Sequence, residues 1–318
     1  MKRIFRLCLG IVVALLATGC NGTDNKKNYD KHRSVYYWRS TFDIDPNEQE
    51  FLQKHNIDRL YLKMYDVAVE YNFSTETEDI VPIATTQFAS TIPSGMDIVP
   101  VVYITIEALR AMEGKEAEFA ELIVERTVAM CNYNKCGTIQ ELQLDCDWTA
   151  QTRNCYHTLC QLVRERLQAK SMELSITVRL HQLQETPPPA DKGVLMLYNT
   201  GDLTNITTRN SILDIENVKP YIKEMEYPLP LDYAYPAFGW GVKFYSCWFQ
   251  GIVAEDAEPE YEGEHIRRER ATADEILAVK RFVEKNLGKP ASGSILYHLD
   301  KEQLKNYTDD EIAQILAY

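Results

Sequence analysis

The 318-residue chain is poor in the residues that announce chemistry. It holds six histidines, and no HxH, HExxH or other clustered histidine pattern occurs among them. That removes the usual arrangements for a catalytic or structural metal, and no metal is expected. There is no GxSxG, no Walker loop and no GxGxxG, so neither a nucleophile elbow nor a phosphate-cradling loop is present and no cofactor is implied. Basic residues are in the minority, 34 Lys and Arg against 47 Asp and Glu, for a net charge of −13. Phosphate contacts need Lys and Arg, so nucleic acid is excluded as a partner. The one basic knot, "IRRER", sits beside "EDAEPEYEGE" and reads as a solvated, self-compensating loop. No repeat of fixed period occurs.

Cysteine is present but not in tight CxxC pairs. Of the eight, Cys8 and Cys20 belong to the N-terminal segment. Cys131 and Cys136 flank "NYNK", where an oxidising compartment would allow a disulfide. Cys155 and Cys160 lie five apart on an expected helix, where they would not bridge. Cys146, Cys155, Cys160 and Cys247 are expected to be small buried apolar residues.

The first residues have the form of an export signal. Lys2, Arg3 and Arg6 precede an apolar run over 7–16, too short to span a bilayer, and "ATGC" follows. Small residues before Cys20 resemble a bacterial lipobox. That resemblance implies cleavage of 1–19, lipid attachment at Cys20 and a lipoprotein of a Gram-negative outer membrane, on its periplasmic or surface face. Residues 20–33 read as a polar tether. The remainder, 34–318, is expected to be one domain and a monomer.

Along that remainder short apolar runs alternate with amphipathic ones. Strands are expected at 34–38, 59–67, 98–105, 141–147, 173–180 and 193–199, within 231–244, and at 293–300. Helices are expected over "PNEQEFLQKHN" with Asp45 as N-cap, over 116–131, 152–170 and 272–288, and at the C-terminus. A side hairpin is expected near "IVPIATTQFAS" and a short helix at "VKPYIKEM". Eight strands separated mostly by helices predict an α/β fold, a (β/α)8 TIM barrel. It would be irregular: "HQLQETPPPADK" is too proline-rich for a full helix, and 240–272 is a long insertion. An open doubly wound sheet is the alternative.

In such a barrel the active site lies at the C-terminal ends of the strands. The fourth expected strand ends in "LQLDCDWT", which puts Asp145 and Asp147 on one face. Two neighbouring carboxylates repel, and one should be held neutral unless a cation intervenes. Asp147 and Asp145 are therefore the candidate catalytic pair, with Arg179 on the next strand able to hold one as an ion pair. Trp38, Tyr103, Trp148, Tyr198, Tyr235, Trp240 and Tyr297 come to the same end. Flat rings with polar neighbours suit the apolar faces and hydroxyl edges of a sugar, so a glycan or oligosaccharide is the expected partner.

"LQLDCDWT" resembles the DxxDxDxE strand of chitinase-type (family 18) glycosidases at Asp145 and Asp147. That family's leading Asp falls on Leu142 and its catalytic Glu on Thr149. The chain is more closely similar to uncharacterised bacterial lipoproteins with a glycosidase-like barrel, in "QLDCDWT", "LSITVRL" and "YPLPLDYAYPAFGWGVKF". This resemblance spans about 34–300 and implies a TIM barrel on a lipid anchor. Three readings stay open: a glycoside hydrolase with Asp147 as acid or nucleophile, a non-catalytic glycan-binding barrel, and an interaction protein using the 240–264 region.

Overall fold

The computed structural model describes residues 29–223 and 226–318. The signal expected at 1–19, the lipid site expected at Cys20 and residues 224–225 of "VKPYIKEM" lie outside the described residues. The helix observed there spans Ile215–Val218 and ends where that stretch begins, with 219–223 not helical. Eight parallel strands form the body: β1 (Ser34–Tyr37), β2 (Arg59–Asn72), β3 (Asp97–Ile104), β4 (Glu141–Asp145), β5 (Glu173–Val178), β6 (Lys192–Met196), β7 (Leu231–Pro236) and β8 (Ser294–Tyr297). Each pairs with its neighbours in sequence, and β1 pairs with both β2 and β8. That double pairing closes the sheet into the (β/α)8 barrel and rules out the open doubly wound sheet.

The helices start where local chemistry dictates. Asp45 caps α1 (Pro46–Lys54): its carboxylate accepts from the amides of Asn47 and Glu48 at 2.8 and 3.0 Å, and Glu48 accepts in return from the Asp45 amide. The barrel is then wrapped by α2 (Ile106–Ala111), α3 (Glu116–Tyr133), α4 (Arg153–Gln168), the short α5 (Ile215–Val218) and α6 (Ala273–Leu287). Thr272 and Glu275 make a second capping box on α6. The proline-rich stretch after β5 holds only a 3-10 turn, Leu180–Gln184.

Two features depart from a plain barrel. The far half of β2 leaves the ring and pairs antiparallel with Thr77–Ile83, so the expected side hairpin uses β2 itself as its first arm. After β7, strands Gly239–Tyr245, Trp248–Val253 and Glu264–Arg270 make a separate antiparallel sheet. "IRRER" therefore lies on a strand, which corrects the loop reading. Its arginines are compensated as expected, Arg267 by Glu269, Arg268 by Glu258 and Arg270 by Glu255. Cys247, expected buried, is exposed near the tip of this sheet, where no core reaches it.

Period-two alternation sorts each barrel strand into two faces. The outward faces join the helices in the main core. The inward faces form a smaller cluster around Tyr36, Tyr61, Val101, Met196 and Ile295. Polar residues share this interior: Tyr36 donates to Gln143 at 2.6 Å, and Gln143 donates to Ser175 at 3.3 Å.

At the N-terminal end the interior is ionic. The Lys192 Nζ lies 3.0 Å from Glu141 Oε2 and 3.1 Å from Asp232 Oδ2. Arg59 binds Asp97 at 2.7 Å and approaches Glu141 at 3.6 Å. Residues 29–33, within the expected tether, strap this end: Lys31 donates to the Ala291 carbonyl at 2.7 Å and the His32 amide to that of Ser292 at 3.1 Å. Burial alone would raise the Glu141 pKa, but Lys192 and Arg59 outweigh it and hold the carboxyl below its ordinary value.

Lys192→Met should leave Glu141 and Asp232 buried without their cation and cost about 3–5 kcal/mol in urea unfolding. Because the Glu141 pKa is depressed on folding, its contribution is full above the ordinary glutamate pKa. It is lost as pH falls through the folded value. The stability difference between wild type and Glu141→Gln should accordingly shrink on acidification.

Candidate functional site

The C-terminal mouth is built from residues that continue the same alternation. Asp145, the last residue of β4, points inward and is buried. It accepts hydrogen bonds from Thr177 Oγ1 at 2.6 Å and from Arg179 Nη2 at 3.0 Å. Thr177 and Arg179 are two apart on β5 and its extension, so both face the same carboxylate. The cation that the sequence offered is in place: burial alone would lower the Arg179 pKa, the Asp145 charge raises it, and the net shift is upward.

Asp147, two residues beyond Asp145, is in a different position. Its side chain is half-exposed, and its Oδ1 lies 3.7 Å from His181 Nε2, beyond hydrogen-bond distance. That oxygen is sealed from solvent yet has no hydrogen-bond partner, and Arg179 Nη1 is in the same condition. Both residues border a cavity of about 300 Å³ with Tyr103, His181, Tyr198 and Tyr221. Two residues that each carry one unpartnered polar atom thus line one recess. Tyr103 stays protonated there, since burial and the Asp145 charge both push its pKa up.

Aromatic rings form the wall beside this cavity. Tyr198 stacks on Tyr297 with centroids 4.5 Å apart and planes at 27°. Tyr297 in turn meets Trp38 at 5.9 Å. Trp38 borders an adjoining, more open recess with Arg39, Asp43, Asp45 and Lys301.

Of the expected site residues, Tyr103, Asp147, Arg179 and Tyr198 come together in the cavity. Asp145 lies beneath them, and Trp38 and Tyr297 beside them. Trp240 stands behind the wall: its ring packs on Phe238 at 5.1 Å and its indole N–H donates to Glu269 at 2.9 Å. Two expectations need correction. Trp148 is only 2 % exposed and packs on Tyr156 and His157 of α4. Tyr235 is fully buried under Lys280 of α6. Both lie one residue out of phase with the inward set, so they face the helices and not the mouth.

His181 and Asn199, which the ends of the fifth and sixth strands bring to the mouth, had no binding role assigned from sequence, and Tyr221 was not expected there. The period-two rule reaches His181 as a continuation of Thr177 and Arg179. Asn199 sits at a left-handed backbone position (φ 55°) after β6, a conformation asparagine tolerates. Tyr221 follows α5 in an irregular stretch that no periodicity could place. Among the described residues no group of three or more His, Cys, Asp or Glu side chains is placed to hold a metal ion.

This barrel, with its recess at the C-terminal mouth, has a glycoside-hydrolase-like fold. Among solved structures it is similar to a chitinase from Chromobacterium violaceum (TM-score 0.56, 13 % identity, covering 90 % of this chain and 98 % of that one). It is similar to the GH18 chitinase ChiB of Flavobacterium johnsoniae (TM-score 0.56, 12 % identity, 90 % and 93 %). It also resembles a class V chitinase mutant of Cycas revoluta in complex with (GlcNAc)3 (TM-score 0.53, 12 % identity, 89 % and 98 %). No family model matches the chain, and no curated protein matches it in sequence.

Trp148→Ala should behave as a core truncation and cost about 3–5 kcal/mol in chemical unfolding. A cost below about 0.5 kcal/mol, the range of ordinary surface changes, would instead return the ring to the mouth.

Proposed function

We propose that this protein is a glycoside-hydrolase-like lipoprotein that binds a glycan at the C-terminal mouth of its barrel. One observation carries the reading. Asp147 and Arg179, each with one unpartnered polar atom (Oδ1 and Nη1), line one recess beside the Tyr198–Tyr297 wall. Leaving such groups unpaired is costly, and a ligand with adjacent donor and acceptor groups relieves the cost. Sugar hydroxyls and amides supply such groups, and the sugar's apolar face suits the rings. The neighbour crystallised with (GlcNAc)3 makes N-acetylglucosamine oligosaccharides the first ligands to try.

Recognition is favoured over hydrolysis by the acids present. Two-carboxylate glycosidases need a pair of free acids flanking the bond. Among the described residues lining the cavity Asp147 is the one carboxylate, and Asp145 is engaged by Thr177 and Arg179. At the position where the chitinase motif carries its glutamate stands Thr149, whose amide donates to Thr152 at 3.0 Å as the chain turns into α4. The hydrolytic reading keeps one specific support, the proximity of His181 to Asp147. Anchoring through Cys20 in the outer membrane of a Gram-negative cell, after loss of 1–19, completes the proposal.

Titration calorimetry of the trimer should show binding that weakens by about 1.5–3 kcal/mol in Asp147→Ala, the range for a hydrogen bond to a charged group. Equal affinity of the two proteins would remove the mouth from the reading. Reducing sugar released by the wild type but not by Asp147→Asn would establish hydrolysis in its place. For the anchor, Cys20→Ser in the full chain should move the protein from the membrane fraction to the soluble one.

A further inference from the structure

The C-terminal end of α3 closes in a way that sets two thiols face to face. Asn134 is the cap residue. Lys135 follows in the left-handed region with φ 55°. The Lys135 amide donates to the Asn132 carbonyl at 3.2 Å, and the Cys136 amide donates to the Cys131 carbonyl at 2.9 Å. These two bonds define a Schellman closure, in which the residue three before the cap and the residue two after it come into side-chain contact. That contact is ordinarily apolar. Here both positions are cysteine, and both side chains are buried, 1 % and 3 % exposed.

The thiols act directly on each other. Cys136 is the largest influence raising the Cys131 pKa, ahead of burial. Cys131 is the largest influence lowering that of Cys136, against burial, which raises it. Cys136 is therefore the thiol that ionises first, and thiolate is the form that attacks a disulfide. No other cysteines share this arrangement among the described residues: Cys155 and Cys160 lie on one helix without such a closure, and Cys247 stands apart on the inserted sheet.

We propose that Cys131 and Cys136 form an intramolecular disulfide that staples the last turn of α3 to the segment leading into β4. The oxidant is a disulfide, either of a protein oxidant or of oxidised glutathione. The Cys136 thiolate attacks one of its sulfurs, forming a mixed disulfide and releasing one donor thiolate. The Cys131 thiol then gives up its proton, and its sulfur attacks the Cys136 sulfur and expels the second donor thiolate. Two cysteine thiols are oxidised and one donor disulfide is reduced to two thiols. In the cell this step rests on the export reading above, because the oxidant persists in an oxidising compartment. The bond itself does not need that reading, since purified protein can be given the oxidant directly.

The test uses the purified chain, reduced and then exposed to oxidised glutathione, alkylated after unfolding and cut with trypsin. Cleavage after Arg126, Lys135 and Arg153 releases fragments 127–135 and 136–153. We expect the two to remain joined, lighter by two hydrogens than their sum, and to separate on reduction. The oxidised protein should melt several degrees above the reduced one. Cys136→Ser, its fold checked by circular dichroism, should melt at one temperature with or without oxidant. Full alkylation of Cys131 and Cys136 in the oxidant-treated wild type would overturn the proposal. So would fragments that stay joined in Cys136→Ser, because Cys146 would then be the partner. A bond formed by the purified protein but missing from chain alkylated at cell lysis would support the pair and count against export.

Discussion

Closure of the ring constrains everything else in this molecule. Because β1 hydrogen-bonds to both β2 and β8, no strand has a free edge within the barrel, and half of all strand side chains must share one narrow interior. This chain fills that space with tyrosines and charges as well as aliphatics. Such a filling is stable only where buried charges are compensated, and at the N-terminal end they are, although Glu141 Oε1 itself makes no hydrogen bond. Lys192, Arg59, Glu141, Asp97 and Asp232 compensate one another, and Asp232 also accepts from the backbone amides of Ser292 and Gly293. That end is an ionic cluster at the base of a cavity of about 570 Å³, which residues 29–33 help to line and strap.

The C-terminal end divides its polar groups differently. Asp145 is as settled as any residue of that cluster, held by Thr177 and Arg179. Beyond it, Asp147 Oδ1 and Arg179 Nη1 make no hydrogen bond, and His181 is the ionisable neighbour of Asp147 at 3.7 Å. The two aspartates thus have different work despite their spacing. The inner one uses the arginine's charge to become structural.

The inserted sheet after β7 and the wall of rings at the mouth are linked through Phe238, which touches Tyr198, Tyr297 and Trp240. Trp240 is itself fixed by Glu269, and Glu269 by Arg267. The charge-rich insertion therefore braces the mouth from the side. Its arginines are each compensated, Arg267 by Glu269 two residues along the same strand and Arg268 and Arg270 by Glu258 and Glu255 of the preceding connection, so a strand forms in a segment with little apolar content.

The barrel was legible in the sequence because it depends on local signals. The eight apolar runs, the Asp45 and Thr272 caps and the proline-rich gap after β5 each act over a few residues, and closure follows from their number and spacing. The shared face of Asp145 and Asp147 was legible for the same reason, as was the approach of Arg179. Trp148 and Tyr235 were misplaced although alternation puts each on the face opposite its inward neighbour, Asp147 or Ala234. One residue of phase sends a ring to the helices instead of the mouth. Tyr221 and the bracing by Phe238 depend on contacts between segments distant in the chain. The sequence by itself determined the periodicities, and through them the ring and the aspartate pair. Which carboxylate is tied and which is left open was decided only by tertiary structure, because it depends on how far one arginine reaches across two packed strands.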